Sequence, residues 1–228
     1  MPIYKYLPER FADAFVNRGE VLFRSLSYFH DLESTDGRAD AYEGTRRYRP
    51  HGGLEITSVT TGQKSNFPES VSLESTAKTS DIFVFCASTQ LGPTLAQEFQ
   101  ADTCIEIVDE TRFVARLRAA LTRRIRVRAP KTLLRGLVNY YECSEAPIVD
   151  WALPDRITMS KPARFKHQHE YRFAFAINDA FRVQNTTQIL TTRERAAAVL
   201  AESYPQDLLV VGNLHRLVNV HRFNIAAA

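Results

Sequence analysis

The stretch Arg164–Phe175, RFKHQHEYRFAF, carries the clearest structural pattern in the chain. From position 170 onward the side chains alternate between two faces, with Glu170, Arg172, Ala174 and Ala176 on one and Tyr171, Phe173, Phe175 and Ile177 on the other. A period of two predicts a half-buried strand, here with one aromatic face. The polar residues before Glu170 predict a polar strand entrance, from which this carboxylate reaches outward on a rigid scaffold, as catalytic acids often do. The alternative is a solvated or ion-paired glutamate at the surface.

Length and composition favour one domain, predicted to span residues 1–225, with Ala226–Ala228 set aside as a tail. The 228 residues are 44% hydrophobic, which is enough for one sizeable core. No apolar run approaches the roughly 20 residues that a membrane span needs, and the first residues lack the pattern of a secretory signal. Three cysteines without paired spacing argue against a disulfide framework or a zinc site. We therefore expect a cytoplasmic protein with reduced thiols.

The order of predicted elements in the first half favours an α+β fold with a β-rich core. A strand over residues 3–6 precedes a short helix that Pro8 opens and Gly19 ends, and a second strand follows over 21–26. This unit is too short for a parallel crossover but suits a small antiparallel sheet. The apolar run over 82–86 predicts a central strand.

The rest of the chain is predicted to alternate strands, loops and helices. Residues 66–80 are expected to form a mobile loop, and Asp109 or Thr111 to cap a helix over 111–122. Further strands are expected over 124–128, 136–141, 157–159, 208–211 and 217–220, with an extended link over 185–191 and a helix over 192–203.

Positive charge is concentrated between residues 112 and 135. This segment carries nine Lys and Arg and no Asp or Glu, so the remainder of the chain carries a net charge of about −6. Such asymmetry indicates an anionic partner, whether nucleic acid, a phosphorylated cofactor or an acidic protein. The alternative is a solvated face that the acidic loop over 31–43 balances. The residues expected to meet a nucleic acid are Arg112, Arg116, Arg123, Arg124, Arg126, Arg128 and Lys131.

Several common catalytic motifs are absent from the sequence. It contains no G-x-G-x-x-G or G-x-x-x-x-G-K-[ST] for nucleotides and no H-E-x-x-H or G-x-S-x-G for hydrolysis. His167 and His169 would share one face of the predicted strand, as metal ligands can, but no third ligand is near in sequence. Two solvated histidines are favoured, and no metal site is predicted.

Four segments occur in an order that resembles the ADP-ribosyltransferase superfamily. They are a first strand with Lys5 between two tyrosines, a second strand with Arg24 and Ser25, a central strand ending in Ser88-Thr89, and a late strand starting with Gln168-x-Glu170. The resemblance implies a split antiparallel sheet with flanking helices that binds NAD without a Rossmann fold. The Tyr4-Lys5-Tyr6 and Glu170-Tyr171-Arg172 triplets also resemble an uncharacterised bacterial domain family associated with phage defence. The chain departs from the superfamily in offering Lys5 where members carry His or Arg, and in lacking a second Ser after Ser88-Thr89.

The resemblance implies Glu170 and Gln168 as catalytic residues. Breaking the bond between nicotinamide and ribose builds positive charge on the sugar, and a nearby carboxylate stabilises that charge. Gln168 would orient the acceptor, and Ser88 would hold Glu170 by a hydrogen bond. The residues expected at the NAD site are Lys5, Tyr6, Arg24, Ser25, Ser27, Tyr28, Phe29, Ser88 and Thr89.

Among these residues, Arg24 or Lys5 would hold a phosphate or ribose, and Tyr28 or Phe29 would stack on the nicotinamide ring. Each assignment has a structural alternative. Tyr6 would simply pack in the core, Ser88-Thr89 would cap a helix starting near Leu91, and Arg24 would pair with the acidic loop. These alternatives stay open at the level of sequence.

The sequence thus predicts an NAD-dependent ADP-ribosyltransferase, a toxin or phage-defence effector that modifies DNA or RNA. An antitoxin or chaperone protein would be a partner, and no membrane would be involved. Two other functions stay open. One is a metal-independent nuclease that uses Glu170 with His167 or His169 as base. The other is a non-catalytic module whose basic face binds a nucleic acid or an acidic partner.

Overall fold

The computed structural model describes residues 1–30, 40–124, 133–148, 150–194 and 203–224. The helices are α1 (Ala12–Val16), α2 (Leu26–His30), α3 (Pro93–Glu98), α4 (Glu110–Thr122) and α5 (Pro154–Thr158). The strands are β1 (Ile3–Leu7), β2 (Glu20–Ser25), β3 (Thr45–Tyr48), β4 (Leu54–Thr57), β5 (Lys64–Phe67), β6 (Ser72–Thr76), β7 (Ile82–Ser88), β8 (Thr103–Ile107), β9 (Leu134–Leu137), β10 (Asn139–Tyr141), β11 (Ser160–Pro162), β12 (Glu170–Ala176), β13 (Thr187–Thr191), β14 (Gln206–Val210) and β15 (Val218–Arg222). The predicted α+β class, with an antiparallel multi-stranded core, is confirmed.

The main sheet has eight strands and is organised around β7. On one edge β12 pairs with β7 along its whole length, from Glu170 opposite Ser88 to Ala176 opposite Ile82. Beyond β12 lies β9. The other edge of β7 pairs with both β2 and β1. From there the sheet continues through β2 to β14 in one direction and through β1 and β8 to β15 in the other. The apolar run that predicted a central strand therefore does form the centre of the sheet.

Two strands share the second edge of β7, and the sheet divides there. β1 pairs with β7 at Ser88, whereas β2 pairs with it at Val84 and Phe83. Cys86 lies between these positions, and its carbonyl accepts a hydrogen bond from Lys5 Nζ at 2.8 Å. The division leaves a gap between β1 and β2, and the Lys5 side chain extends into it to reach β7.

Both faces of β12 are covered. All of its residues are buried. Phe173, on the aromatic face, belongs to one hydrophobic cluster with Phe113 of α4. Ala174, on the other face, belongs to a second cluster with Leu26 of α2 and Ile157 of α5. The predicted alternation is confirmed, but the prediction of a half-buried strand is wrong, because helices cover the sheet on both sides.

The polar residues before β12 form a 3-10 helix, Ala163–Gln168, and not the predicted strand entrance. His169 follows in the left-handed conformation, with φ +46°. A left-handed residue interrupts an extended backbone. Gln168 and Glu170 therefore do not share a strand face, and neither do His167 and His169.

The other differences between the predicted and the observed elements occur in segments that have no pattern of apolar residues. The predicted mobile loop over 66–80 contains β6, which pairs with β3 on one edge and β13 on the other. β6 was missed because its buried residues are the polar Ser72, Glu74 and Ser75. Residues 157–159 lie at the end of α5 and are not a strand, and the link over 185–191 contains β13. The helix over 192–203, the acidic loop over 31–43 and the basic strand at 124–128 fall largely outside the described residues.

Several local predictions are confirmed. Asp109 Oδ1 accepts a hydrogen bond from the Arg112 backbone N–H at 2.9 Å and caps α4. Gly19 adopts φ +66° just before β2, as expected of a glycine that ends a helical turn. None of the helices in the described ranges is long and apolar enough to cross a membrane.

Substitutions at two separate glycines, one of them in the turn before β2, test how tightly that turn is packed. Gly19 and Gly62 both have left-handed φ angles, of +66° and +70°. A Cβ on Gly19 would lie 2.1 Å from the Gly212 carbonyl oxygen, whereas a Cβ on Gly62 would have no atom within 4 Å. We expect Gly62→Ala to cost only the left-handed penalty of about 1–2 kcal/mol. Gly19→Ala should cost about 1–3 kcal/mol more, because the turn must move.

The measurement is the free energy of unfolding of each variant from urea titrations. Equal losses in the two variants would contradict the close approach of Gly19 to the Gly212 carbonyl.

Candidate active site

A cavity of about 390 Å³ opens where β1 and β2 diverge from β7. Its wall has a group of buried charged and polar residues, Glu43, Lys161, Gln168, Glu170 and Arg172, beside buried apolar residues such as Val84 and Phe85. The exposed apolar residues of the wall include Phe11, Leu22 and Leu208. The cavity is thus suited to a ligand that has a polar group at its inner end and apolar surface near the mouth.

Glu170, the first residue of β12, lies at the inner end of this cavity. Its Oε1 accepts from Arg172 Nε at 2.5 Å, and its Oε2 accepts from Lys161 Nζ at 3.2 Å. Burial alone would raise the pKa of Glu170, but the charges of Arg172 and Lys161, with hydrogen bonds from Arg172 and Cys86, hold that pKa well below its usual range. Glu170 is therefore a carboxylate at any ordinary pH and is not suited to donate a proton.

Arg172 is the most deeply buried cation of the site, with 1% of its surface exposed. Its Nη1 and Nη2 donate to the two carboxylate oxygens of Glu43 at 2.7 and 2.8 Å, a bidentate pair. Nη1 also donates to the Thr158 carbonyl at 2.6 Å. Glu43 comes from the turn before β3, so this arginine joins that turn, α5 and β12.

Lys161 brings the two predicted catalytic residues together. Its Nζ donates to Gln168 Oε1 at 2.9 Å and to Glu170 Oε2 at 3.2 Å, and it lies 4.5 Å from the centre of the Phe165 ring. The Gln168 Nε2 group donates to Glu98 Oε1 at 2.9 Å. Gln168 and Glu170 are therefore adjacent, but through a shared lysine and not through a shared strand face.

Asp40 adds a further buried acid next to this cluster. Its Oδ1 accepts from Arg164 Nη2 at 3.2 Å and from the Tyr42 backbone N–H at 3.1 Å. Burial, with the nearby charge of Glu43, raises the pKa of Asp40 to about 6. Asp40 thus lies in the same turn as Glu43, the carboxylate that binds Arg172 directly.

Sequence reasoning missed Glu43 as a site residue, and it missed Lys161. Glu43 is the last residue of the predicted acidic loop, where the pattern predicts a solvated side chain. Lys161 precedes a proline in a stretch that has no periodic pattern. A buried charge has no signature of its own in a sequence, because its burial depends on partners far along the chain. Arg172 was the one signal in the sequence, because a charged residue within a strongly apolar strand indicates a buried charge.

Five of the nine residues expected at the NAD site lie in the cavity wall: Lys5, Tyr6, Arg24, Tyr28 and Phe29. Arg24 lies 4.2 Å from the centre of the Tyr28 ring and donates from Nη1 to Gln206 Oε1 at 3.2 Å. It does not pair with the described part of the acidic loop. The Tyr6 hydroxyl donates to the Gln90 carbonyl at 2.9 Å in the loop before α3, and its ring packs against Phe99 and Phe223.

The other four residues lie outside the wall. Ser25 Oγ and Ser27 Oγ are hydrogen-bonded to each other at 2.8 Å. Ser88 Oγ donates to the Gln168 carbonyl at 2.8 Å, and Thr89 Oγ1 donates to the His169 carbonyl at 3.3 Å. The expected hydrogen bond from Ser88 to Glu170 is replaced by one to the backbone.

The helix-capping alternative for Ser88-Thr89 is also wrong. α3 begins at Pro93, and its N-cap position is Gly92, which has no side chain to accept a hydrogen bond. The two hydroxyls instead fasten the end of β7 to the turn that carries Gln168 and His169.

The basic segment is described in part. Arg112 pairs with Asp109 at 3.3 Å and Arg124 with Asp207 at 3.0 Å, while Arg116 donates to the Asn213 carbonyl. Arg118 and Arg123 are exposed and form no ion pair within the described ranges. The remaining predicted contacts, Arg126, Arg128 and Lys131, lie outside the described residues. Part of the predicted basic face therefore serves to hold α4 against its neighbours.

Comparison of the chain with protein-family models, curated proteins and solved structures finds no match. The cavity and its charged residues are therefore the basis on which a function can be assigned.

The bidentate pair gives a stability test with a matched control. Glu43 and Arg172 are 2% and 1% exposed, so Glu43→Gln leaves a buried guanidinium with one fewer anion. We expect a loss of about 3–5 kcal/mol in the free energy of unfolding. Glu55→Gln removes an exposed pair with Lys64 and should change it by less than about 1 kcal/mol.

Both losses are measured by urea unfolding at neutral pH. A loss for Glu43→Gln no larger than that for Glu55→Gln would contradict the buried pair.

Proposed function

We propose that the chain is an NAD-dependent ADP-ribosyltransferase that works in the cytoplasm. The observation that carries the proposal is the Glu170 carboxylate, kept ionised at the inner end of a cavity between two diverging strands. A fixed anion in a site shielded from water stabilises positive charge far better than one in solvent. The reaction that the resemblance implies develops positive charge on a ribose.

The proposed step uses this carboxylate without protonating it. The bond between the nicotinamide nitrogen and ribose C1′ breaks, and its electron pair leaves with nicotinamide. Glu170 stabilises the positive charge that develops on the sugar. The acceptor then attacks C1′ and loses its proton to water. Gln168, adjacent to Glu170 through Lys161, would orient that acceptor.

Arg24 is the better candidate for binding the diphosphate. A guanidinium has five N–H donors, and the hydrogen bond to Gln206 uses one of them. Within the described part of the chain Arg24 forms no ion pair, and it stacks on Tyr28 near the cavity mouth. Lys5 donates to the Cys86 carbonyl deeper in the gap and suits a ribose hydroxyl better. Tyr28, Phe29 and Phe11 supply ring surface for the planar bases.

The placement of the histidines supports a transferase over a nuclease. His167 Nε2 shares a hydrogen bond with Glu98 Oε1 at 2.9 Å, on the outer side of Gln168. His167 and His169 are both exposed and lie outside the cavity wall. Neither is placed to act together with Glu170 on one substrate, as the nuclease alternative requires. A role as a toxin or phage-defence effector held in check by an antitoxin rests on the resemblance alone.

The reaction is tested with labelled NAD, incubated with DNA, with RNA and with a cell lysate. Wild type should transfer label to a macromolecule. Glu170→Gln keeps the size of the side chain and removes its charge, and it should lower transfer by at least about 100-fold. Glu55→Gln, on the exposed β4–β5 hairpin, should transfer at the wild-type rate.

Melting temperatures of both variants separate loss of chemistry from loss of fold. Release of free ADP-ribose without transfer would restrict the proposal to NAD hydrolysis. No consumption of NAD by the wild type under any of these conditions would contradict it.

We further infer that the acceptor is a nucleic acid, on the strength of the exposed arginines of α4 and of the residue that follows it. Arg118 and Arg123 are exposed and have no ion pair among the described residues. Exposed guanidinium groups attract a phosphate backbone and release its counterions, which makes the affinity depend on salt. The same face would also serve the non-catalytic binding module that the sequence left open.

Charge reversal tests this inference. Arg118→Glu combined with Arg123→Glu should weaken DNA or RNA binding and reduce the slope of log affinity against log salt by about 1 per lost contact. Lys64→Glu, on β5, removes a cation elsewhere and should leave the slope unchanged. Fluorescence anisotropy with a labelled oligonucleotide measures both. An unchanged slope in the double variant would contradict a role for α4, and transfer of ADP-ribose to protein alone would contradict a nucleic-acid acceptor.

A further inference from the structure

We propose that Lys161 is a positioning residue that holds the Gln168 amide and the Glu170 carboxylate in one fixed arrangement at the inner end of the cavity. Its catalytic consequence rests on the proposed transferase function. Its structural basis is independent of that function, because it follows from two hydrogen bonds and from the balance of buried charges.

The backbone explains why one ammonium reaches both side chains. Lys161 lies in β11 opposite Tyr140 of β10, and the 3-10 helix Ala163–Gln168 follows it directly. This helix brings the chain back so that Gln168 and Glu170 both face the lysine, at 2.9 and 3.2 Å from Nζ. Because both acceptors bind one nitrogen atom, that atom sets the separation between them.

The orientation of the Gln168 amide depends on the same lysine. An amide has one oxygen and one NH₂ group, and the two are nearly interchangeable in shape. Lys161 donates to the oxygen, and Glu98 accepts from the NH₂ group at 2.9 Å. A donor at one end and an acceptor at the other leave only one orientation favourable. Without the ammonium, the amide loses the donor that binds its oxygen.

Charge balance gives Lys161 a second effect on Glu170. The buried cluster holds two carboxylates, Glu43 and Glu170, and two cations, Arg172 and Lys161. Arg172 is shared, because Glu43 takes both of its Nη groups. Removing Lys161 would leave one cation for two buried anions, and an unpaired buried charge is relieved by protonation. Glu170 would then take up a proton within the ordinary pH range.

The groups around Glu170 set the direction of this change. They come from every element packed against it: Arg172 of β12, Lys161 of β11, Cys86 of β7, Tyr140 of β10, and Glu43 and Asp40 of the turn before β3. Arg172 and Lys161 are the cations of this set. Burial favours the protonated form and the two cations favour the ionised form, so loss of either cation raises the pKa of Glu170.

The experiment compares Lys161→Met, which removes charge and both hydrogen bonds, with Lys161→Arg, which keeps the charge. Lys166→Met is the matched control, because Lys166 is exposed and lies in the 3-10 helix that follows β11. The first readout is the ¹³C resonance of the Glu170 carboxyl group across the acid range. It should stay ionised in wild type, Lys161→Arg and Lys166→Met, and it should titrate at clearly higher pH in Lys161→Met.

The second readout is NAD turnover as a function of pH. For Lys161→Met we expect kcat to fall by about 100-fold with little change in KM, as for a misplaced catalytic group. Activity of this variant should rise with pH as Glu170 ionises, whereas Lys161→Arg should recover the wild-type pH profile with only part of kcat. A purely structural lysine would lower stability without changing the pH profile.

The outcomes separate this inference from the proposed function. Wild-type kcat and an unchanged Glu170 titration in Lys161→Met would overturn the positioning role and leave the transferase intact. If wild type consumes no NAD, the function falls, and the ¹³C titration alone decides the role of Lys161. If Lys161→Met does not fold, Lys161→Arg decides: a lower kcat at unchanged KM and melting temperature supports the role, and wild-type kcat overturns it.

Discussion

The buried guanidinium of Arg172 is the interaction on which the rest of the site depends. It binds Glu43 with two hydrogen bonds, the Thr158 carbonyl with a third and Glu170 with a fourth. These partners come from a turn, a helix and a strand that are distant in sequence. The position of Glu170 at the head of β12 and the path of the chain around residue 43 are therefore set by one side chain. A planar donor with several N–H groups suits this task, whereas a lysine would not reach three elements at once.

The cost of burying these charges bears on their purpose. Removing an ion from water costs several kcal/mol, and a buried pair seldom returns more than it costs, so apolar residues would serve the fold at least as well. Here two cations face two carboxylates, and Asp40, the extra acid, has its pKa raised to about 6 instead of remaining fully charged. Such an arrangement gains little as a source of stability. It makes physical sense when the cavity beside it uses an ionised Glu170.

The sequence predicted the strands correctly where the buried residues are hydrophobic. The apolar run of β7 and the alternation of β12 were both visible, because aromatic and aliphatic side chains in these strands meet their neighbours across the sheet. β6 was not visible, since its buried residues Ser72, Glu74 and Ser75 read as a loop. The 3-10 helix before β12 was missed for a similar reason. Its polar residues suit a strand edge and a turn equally, and only the left-handed His169 distinguishes the two.

For the candidate site as well, the sequence indicated some residues but not the contacts between them. Glu170 and Gln168 were found through the resemblance of a short motif, and Arg24 and Tyr28 through their place after the first glycine. Their contacts could not be derived, because Lys161 and Glu43 acquire a role only once the chain is folded around Arg172. The expected bond from Ser88 to Glu170 is absent although the two residues are opposite each other in β7 and β12, because the Ser88 hydroxyl donates to the Gln168 carbonyl instead.

The division of the sheet at β7 has a consequence for the order in which the site is completed during synthesis. The two strands that flank the gap, β1 and β2, lie within the first 25 residues, whereas the charged inner end of the cavity comes from residues 161–172. β2 also needs β14, near the other end of the chain, as its outer neighbour. Contacts so distant in sequence form slowly and late. A ribosome-bound chain would therefore carry the walls of the site long before it carried the carboxylate. The cavity would be complete only after residues 161–172 and β14 had been synthesised and had folded.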